Sequence, residues 1–518
     1  MRLSKLMCAT PFLGVALLLS GCNAVHSAAG SGSSSSTGTG TGSTTGTGSS
    51  TGTGSTTPST VGDWTWMGGG GYGVVDQAPT PTWPGPMQSE AAYSYNITTW
   101  TDSTGHLWLF GGGLDSNRYV GGLNALWQLT PSSDVANITF PLVSGSITFT
   151  PTELDEPTSP YIVGVWGTEG VAAPSNVPSG RYGAVTWTDA SGNLWLFGGF
   201  GMDAAGNDGE WLNDLWKYSP STGEWTWMSG SSSGHTTGVY GTLGVAAPGN
   251  TPGDRSDSST WTDASGNLWL FGGYGLNTSS FGAGMLNDLW KYSPSTNEWT
   301  WMGGPQTQPE SGTTGVYGTL GVASASNMPG SREDAASWTD PSGNLWLYGG
   351  YGVGSTSVVG TSDLGALADV WKYWPSTGEW TWMSGPDTSG NSEPMTSVTG
   401  TKGVAAASNT PGYRVLFGWA ADPSGNLWLY GGGGAYPVND LWEYNITTNE
   451  WTWMSGTQTE DEDGTSGVYG TEGVPAASNI PTARFNSAMW FDSTGNLWLF
   501  GGTDTYNGFN DLWQYQVQ

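Results

Sequence analysis

The stretch WTDASGNLWLFGG (Trp187–Gly199), followed by LNDLWKYSPSTGEWTWM (Leu212–Met228), returns with small changes at Trp261–Met302, Trp338–Met383 and Trp419–Met454, and in truncated form at the C-terminus. A period of about 75 residues decides the architecture before any single side chain does. Three phrases mark each copy. One ends in a double glycine, at Gly112, Gly199, Gly273, Gly350, Gly432 and Gly502. A second ends in Leu-Trp or Val-Trp, at Trp127, Trp216, Trp290, Trp371, Trp442 and Trp513. The third, Trp-Thr-Trp-Met, starts at Trp64, Trp225, Trp299, Trp380 and Trp451, with a decayed form near Ile138–Pro141.

Each phrase is a short aromatic and β-branched run bounded by turn residues, which predicts a strand. With the run before the Asp-x-Ser-Gly-Asn turn (Ala184–Trp187, for example), every repeat has four. Four-stranded sheets repeated radially make a β-propeller, so the expected fold is all-β with six blades. Leu194, Trp195, Leu196 and Phe197 are apolar on both strand faces, as expected of a sheet packed between two others. The sixth repeat lacks its Trp-Thr-Trp-Met strand, and Asp63–Met67 is an unattached copy of it. Pairing the two would close the ring with the N-terminal strand and remove two exposed edges.

These residues resemble the kelch family, whose repeat carries a double glycine and then a Tyr and a Trp, here Gly198-Gly199, Tyr218 and Trp225. The resemblance covers about Val61–Gln518 and implies a kelch-type propeller. The first repeat departs most, because its third strand lacks the Tyr.

The N-terminus has another character. Arg2 and Lys5 precede an apolar run, Pro11–Leu19, too short to span a bilayer comfortably, and then Leu19-Ser20-Gly21-Cys22. That pattern resembles the lipobox of bacterial lipoproteins. It implies a signal peptide over 1–21 and a lipid on Cys22, which would anchor the protein to a membrane. Asn23 lacks the Asp of inner-membrane retention, which favours the outer membrane. Residues 22–60 read as the lipidated Cys and a disordered Ser/Thr/Gly tether, of roughly 30–35 Å root-mean-square span. The propeller fills 61–518. Of the two cysteines, Cys8 lies in the leader and Cys22 takes the lipid, so no disulfide is expected.

The formal net charge is −30, and loss of Arg2 and Lys5 with the leader makes it more negative by two. The charge disfavours nucleic acid and anionic membrane as direct ligands, so no nucleic-acid partner is expected, and metal cations, neutral sugars and basic partners remain.

Turns and loops sort by face. The turns Thr188–Asn193 and Ser219–Glu224 are tight, whereas Phe200–Trp211 and Ser229–Arg255 are long and emerge on the other side, where binding residues gather. The longer segment has its own phrase, Gly-Val-Tyr-Gly-Thr-x-Gly-Val-Ala-Ala, starting at Gly164, Gly238, Gly315 and Gly467, with a weaker copy at Val398. It runs on to an Asn-x-Pro and an arginine: Arg181, Arg255, Arg332, Arg414 and Arg484. Each arginine immediately precedes the innermost strand, so the five are expected to ring the mouth of a central channel. With Tyr240, Tyr317 and Tyr469 they are the candidate ligand-binding residues, on a face suited to carbohydrate or cell-envelope polymer. A framework role, each arginine fastening a blade through a nearby acid, is the competing reading for them.

Catalysis finds little support. The kelch resemblance brings in galactose oxidase, whose copper needs two His, two Tyr and a Tyr–Cys crosslink. Here only His106 and His235 follow the tether, and no Cys does. No cofactor and no metal is therefore expected, and no Ser/His/Asp set can be assembled. The acids of the long-loop face are Asp203, Asp208, Glu210, Glu333, Asp334 and Glu472. Bacterial kelch mutarotases of sialic acid use acids and arginines in such a funnel, which would make Glu333 beside Arg332 the candidate for a sugar mutarotase or epimerase. The acids of the turns (Asp189, Asp263, Asp340, Asp422, Asp492) and of the third strands (Asp214, Asp288, Asp369, Asp440, Asp511) lack EF-hand spacing and read as backbone caps. The expected function is a non-catalytic binding or scaffold module outside the cytoplasm, taking a glycan or a protein partner.

Overall fold

The computed structural model describes residues 62–69, 98–102, 104–111, 124–132, 138, 142–144, 162–278, 282–307, 309–355, 364–390, 397–457, 466–504 and 508–517. The expected leader, Cys22 and the tether lie outside them. The described secondary structure is all β, and every pairing is antiparallel. Each repeat holds an antiparallel sheet of four strands, or of five in the second and third repeats where the short strand at the arginine joins it, and the fourth repeat adds a small three-stranded sheet; the recurrence fits a β-propeller. In the second repeat, Val185–Thr188, Leu194–Gly201, Glu210–Ser219 and Glu224–Ser229 lie side by side in chain order.

Local chemistry explains the turns. Asp189 Oδ1 accepts the Ser191 and Asn193 amides at 2.9 and 3.0 Å, and its Oδ2 accepts the Trp195 indole at 2.9 Å. The same set recurs at Asp263 and Asp492. One carboxylate thus shapes the hairpin and holds the first Trp of the following strand.

Aromatic contacts join one sheet to the next. The first Trp of each fourth strand meets a ring on the second strand of the preceding repeat: Trp225 on Phe110 (5.6 Å), Trp299 on Phe197 (5.4 Å), Trp380 on Phe271 (5.5 Å) and Trp451 on Tyr348 (5.0 Å). Such pairs contribute about 0.5–1.5 kcal/mol beyond their buried area. The N-terminal strand Trp64–Gly68 takes the same place in the last sheet. It pairs antiparallel with Leu512–Tyr515, and Trp64 meets Tyr430 at 5.6 Å.

The long segment between sheets is less a loop than an edge cover. Gly170 and Ala173 donate to the Trp227 and Trp225 carbonyls along the outer edge of the fourth strand. Asn176 fastens the cover through its amide, which donates to Val171 O (2.9 Å) and Trp225 O (3.1 Å). Asn250, Asn327, Asn409 and Asn479 repeat the device, Asn479 on the carbonyl of Trp64. A sheet edge otherwise open to pairing is thereby occupied. In the first repeat the fourth strand is Leu142–Ser144, just beyond the decayed phrase, and Leu142 and Val143 are exposed.

Candidate functional site

The five arginines do not stand at a channel mouth. Each is at most 1% exposed and forks onto an acid in, or just before, the third strand of its own repeat: Arg181 on Asp214, Arg255 on Asp288, Arg332 on Asp369, Arg414 on Asp440 and Arg484 on Asp511. Arg181 uses all its donors, on Asp214 Oδ1 and Oδ2, Ser179 O and Oγ, and Gly198 O. A guanidinium has five N–H groups, so nothing is left for a ligand. The alternation of the short strand explains the miss: Arg332 turns inward to Asp369, and the next residue, Glu333, turns away from it.

The tyrosines join the same clusters. Tyr240, Tyr317 and Tyr469 donate their hydroxyls to Asp288, Asp369 and Asp511 at 2.6–2.7 Å, and the Trp166 indole does so to Asp214 at 3.1 Å. The Trp two residues after each acid adds a further donor, as Trp290 does to Asp288 at 2.7 Å. The third-strand acids are therefore anchors of buried charge, not turn caps. Burial alone would raise the Asp288, Asp369 and Asp511 carboxyls, but the arginine charge and these hydrogen bonds hold them below the usual range.

The concave site lies elsewhere. The first strands Thr98–Thr101, Val185–Thr188, Ser259–Thr262, Ala336–Thr339, Gly418–Ala421 and Ala488–Phe491 neighbour one another in that order, and the last neighbours the first. Between them lies a cavity of about 630 Å³. Hydroxyls stitch part of its wall. Thr186 donates to Thr99 O (2.7 Å), Thr260 to Thr186 O (2.9 Å) and Ser337 to Thr260 O (3.0 Å). A second belt runs from Thr188 to Thr101 O, Thr262 to Thr188 O and Thr339 to Thr262 O, at 3.0–3.2 Å.

The belts stop at the last two sheets. Trp419 and Met489 stand where the first belt would continue, and Ala421 and Phe491 where the second would. Trp419 arrives there through a one-residue offset. Trp187 faces Trp195 across its hairpin, whereas Ala420 faces Trp428, and Trp419 is displaced to the cavity side. A shift of one residue reverses the face of a strand side chain.

At one end of the cavity stand the residues two places after the arginines: Gly183, Asp257, Asp334, Leu416 and Asn486, all with φ between 53 and 62°. Their backbones are linked, Asp257 N to Gly183 O (2.8 Å), Asp334 N to Asp257 O (3.0 Å) and Asn486 N to Leu416 O (2.6 Å). Asp and Asn tolerate this left-handed region, whereas a leucine there is strained. Burial raises the Asp257 carboxyl to about 6, and burial with the Asp257 charge pushes Asp334 well up. Glu333, 4% exposed, is raised by burial and by both neighbours, and its Oε2 has no partner.

Beside this end, cross-strand pairing builds an aromatic row: Tyr182 on Phe200 (5.4 Å), Phe200 on Trp211 (5.1 Å) and Trp211 on Tyr274 (5.6 Å). His235 meets Trp211 at 6.4 Å and places Nε2 2.7 Å from Glu210 Oε2. The expected loop Phe200–Trp211 is partly strand, since the hairpin extends through Gly201 and Glu210.

Of the sequence candidates, the arginines and tyrosines come together as a framework, and Glu333 and Asp334 come together with Asp257. Asp257 was missed, although it follows Arg255 as Asp334 follows Arg332. Among the described residues no three His, Cys, Asp or Glu side chains are arranged to hold a metal ion. Among the described residues no helix is long and apolar enough to cross a membrane.

No protein family matches the chain by its sequence profile, and no curated protein matches it in sequence. Among solved structures it is similar to YjhT, at 13% identity and a TM-score of 0.44, over 82% of this chain and 95% of that one.

Proposed function

We propose that this chain is a lipoprotein anchored through Cys22 outside the cytoplasm, in the outer membrane, whose kelch-like propeller of six blades binds carbohydrate of the cell envelope in its central cavity. The N-terminal strand completes the sixth blade. Two facts support six blades in a closed ring: the cyclic order of the first strands, and the pairing of Trp64–Gly68 between Leu512–Tyr515 and the cover segment at Ala476. The reading as a binding module rests on the cavity wall, which sets Trp419 and Phe491 against belts of oxygen atoms. A sugar offers the matching surfaces, C–H faces for an aromatic ring and hydroxyls for the belts. The arginines leave the ligand set and become its frame.

The test is a glycan array probed with the secreted chain carrying Cys22→Ser, beside Trp419→Ala of equal melting temperature. Binding by the parent that the variant loses is the expected result. No binding by the parent removes the proposal.

A protein partner is the second reading, and one observation favours it. The cover segments leave aliphatic side chains about half exposed in every copy, among them Val239 (51%), Leu243 (55%) and Val245 (50%). Repeated apolar side chains on a surface mark contact sites. Binding of an envelope protein that Val239→Ser and Val245→Ser abolish would establish it.

A further inference from the structure

The wall of the cavity also speaks to the charge of its ligand. A hydroxyl carries one proton, and those of Thr186, Thr188, Thr260, Thr262, Ser337 and Thr339 are all donated to carbonyls of the ring. With their protons committed, these lining hydroxyls can offer a ligand only lone pairs, and Ser337 Oγ also accepts the Thr260 amide at 3.1 Å. Asp257 and Asp334 add two carboxylates from consecutive repeats, and no Lys, Arg or His stands among the described lining residues. Behind them Glu333 Oε2 is buried without a partner, close enough that the Asp257 and Asp334 charges act on it. The remaining side is aromatic, and an aromatic face attracts a cation.

Acceptors, carboxylates and an aromatic surface share one complement. That complement is a group rich in N–H and O–H donors with a positive charge. Burial disfavours the charged form of both carboxyls; a neutral sugar would leave that cost in place, whereas an ammonium offsets it by charge-assisted hydrogen bonds. A bare polyamine would bring the charge but no hydroxyls for the belts. The volume of about 630 Å³ suits one or two sugar rings rather than a protein segment.

We infer that the cavity takes an amino sugar with a free amine, its ammonium at Asp257 and Asp334 and its ring on the Trp419 side of the wall. The inference rests on the proposal that the cavity binds carbohydrate, and names the class.

Calorimetry with the secreted chain tests it, using glucosamine oligomers, the same oligomers N-acetylated, glucose oligomers of equal length, and spermidine. The free-amine oligomer should bind about tenfold to a hundredfold more tightly than its acetylated form, the loss expected for a charge-assisted contact. Asp334→Asn, which leaves Asp257 in place, should narrow that difference. The acetylation comparison needs no variant, so a misfolded Asp334→Asn does not spare the idea. Equal binding of free and acetylated oligomers overturns the inference but leaves the carbohydrate reading standing. No oligomer binding, with or without spermidine, overturns both.

Discussion

Neutralising Asp288 while keeping its shape should strand a buried cation. Arg255 and Asp288 are both at most 1% exposed, and Asp288 accepts two hydrogen bonds from Arg255, one from Tyr240 and one from Trp290. Asp288→Asn keeps an acceptor for the hydroxyl and the indole and removes the countercharge. An orphaned buried charge costs about 3–5 kcal/mol. Arg255→Met strands the carboxylate and should cost about the same. The double variant leaves neither charge, so it should be more stable than the two single costs added together, by about 2 kcal/mol or more. Urea midpoints with an unchanged slope give these energies directly. In a thermal scan, about 450 residues at about 2.1 cal/mol/K each give roughly 1 kcal/mol per kelvin, so each single variant should melt about 3–5 °C lower. Singles that cost under about 1 kcal/mol, or a double equal to their sum within about 0.5 kcal/mol, would refute the claim that this pair is a buried, mutually dependent unit.

Two further outcomes are expected. Deleting Asp63–Met67 removes the partner of both Leu512–Tyr515 and the last cover segment, so light scattering should report aggregation; a monomeric variant with an unchanged melting temperature would show that the strand closes nothing. Asp254 is buried, with Oδ1 unpartnered, and burial first, then the Asp214 and Glu210 charges, raise its carboxyl to about 8. A carboxyl raised on folding binds its proton more tightly in the native state, so its contribution is full at low pH and is lost as pH rises toward 8. Asp288, held low, acts in the opposite direction and loses its contribution only in acid. Unfolding midpoints between pH 5 and pH 8 should therefore fall less steeply for Asp254→Asn than for the parent.

Much of the fold was legible because it repeats. The turn acids, the paired aromatic strands and the N-terminal copy of the fourth strand each follow from local pattern. The direction of the arginines did not, because a position just before a strand leaves two faces open and only a partner selects one. That partner was in the sequence, in the phrase Asn-Asp-Leu-Trp, and the first repeat held the clue. It lacks the arginine, and where the other repeats carry the acid it carries Ala125, fully buried. A buried cation and its acid are lost together, since either alone is costly. The cavity was harder to read, because the strand pairing is the same while Trp419 stands three residues before its turn acid Asp422 and Trp187 two before Asp189, a displacement hidden when the repeats are matched on their tryptophans.

The two kinds of position divide the labour of the molecule. A residue repeated in five of the six repeats, such as the Arg–Asp pair or the asparagine of the cover segment, meets the same demand in each of them, and that demand is packing. A ligand in a central cavity has no such symmetry, so the wall that recognises it must break the repeat. Trp419, Met489 and Phe491 interrupt the hydroxyl belts, and Asp257 and Asp334 stand where other repeats place Gly183, Leu416 and Asn486. Leu416 accepts a left-handed backbone that suits it poorly, which indicates that the ring geometry there is imposed by its neighbours. Specificity in this protein is therefore to be sought at the departures from the repeat, with the repeated charges serving to hold those departures in place.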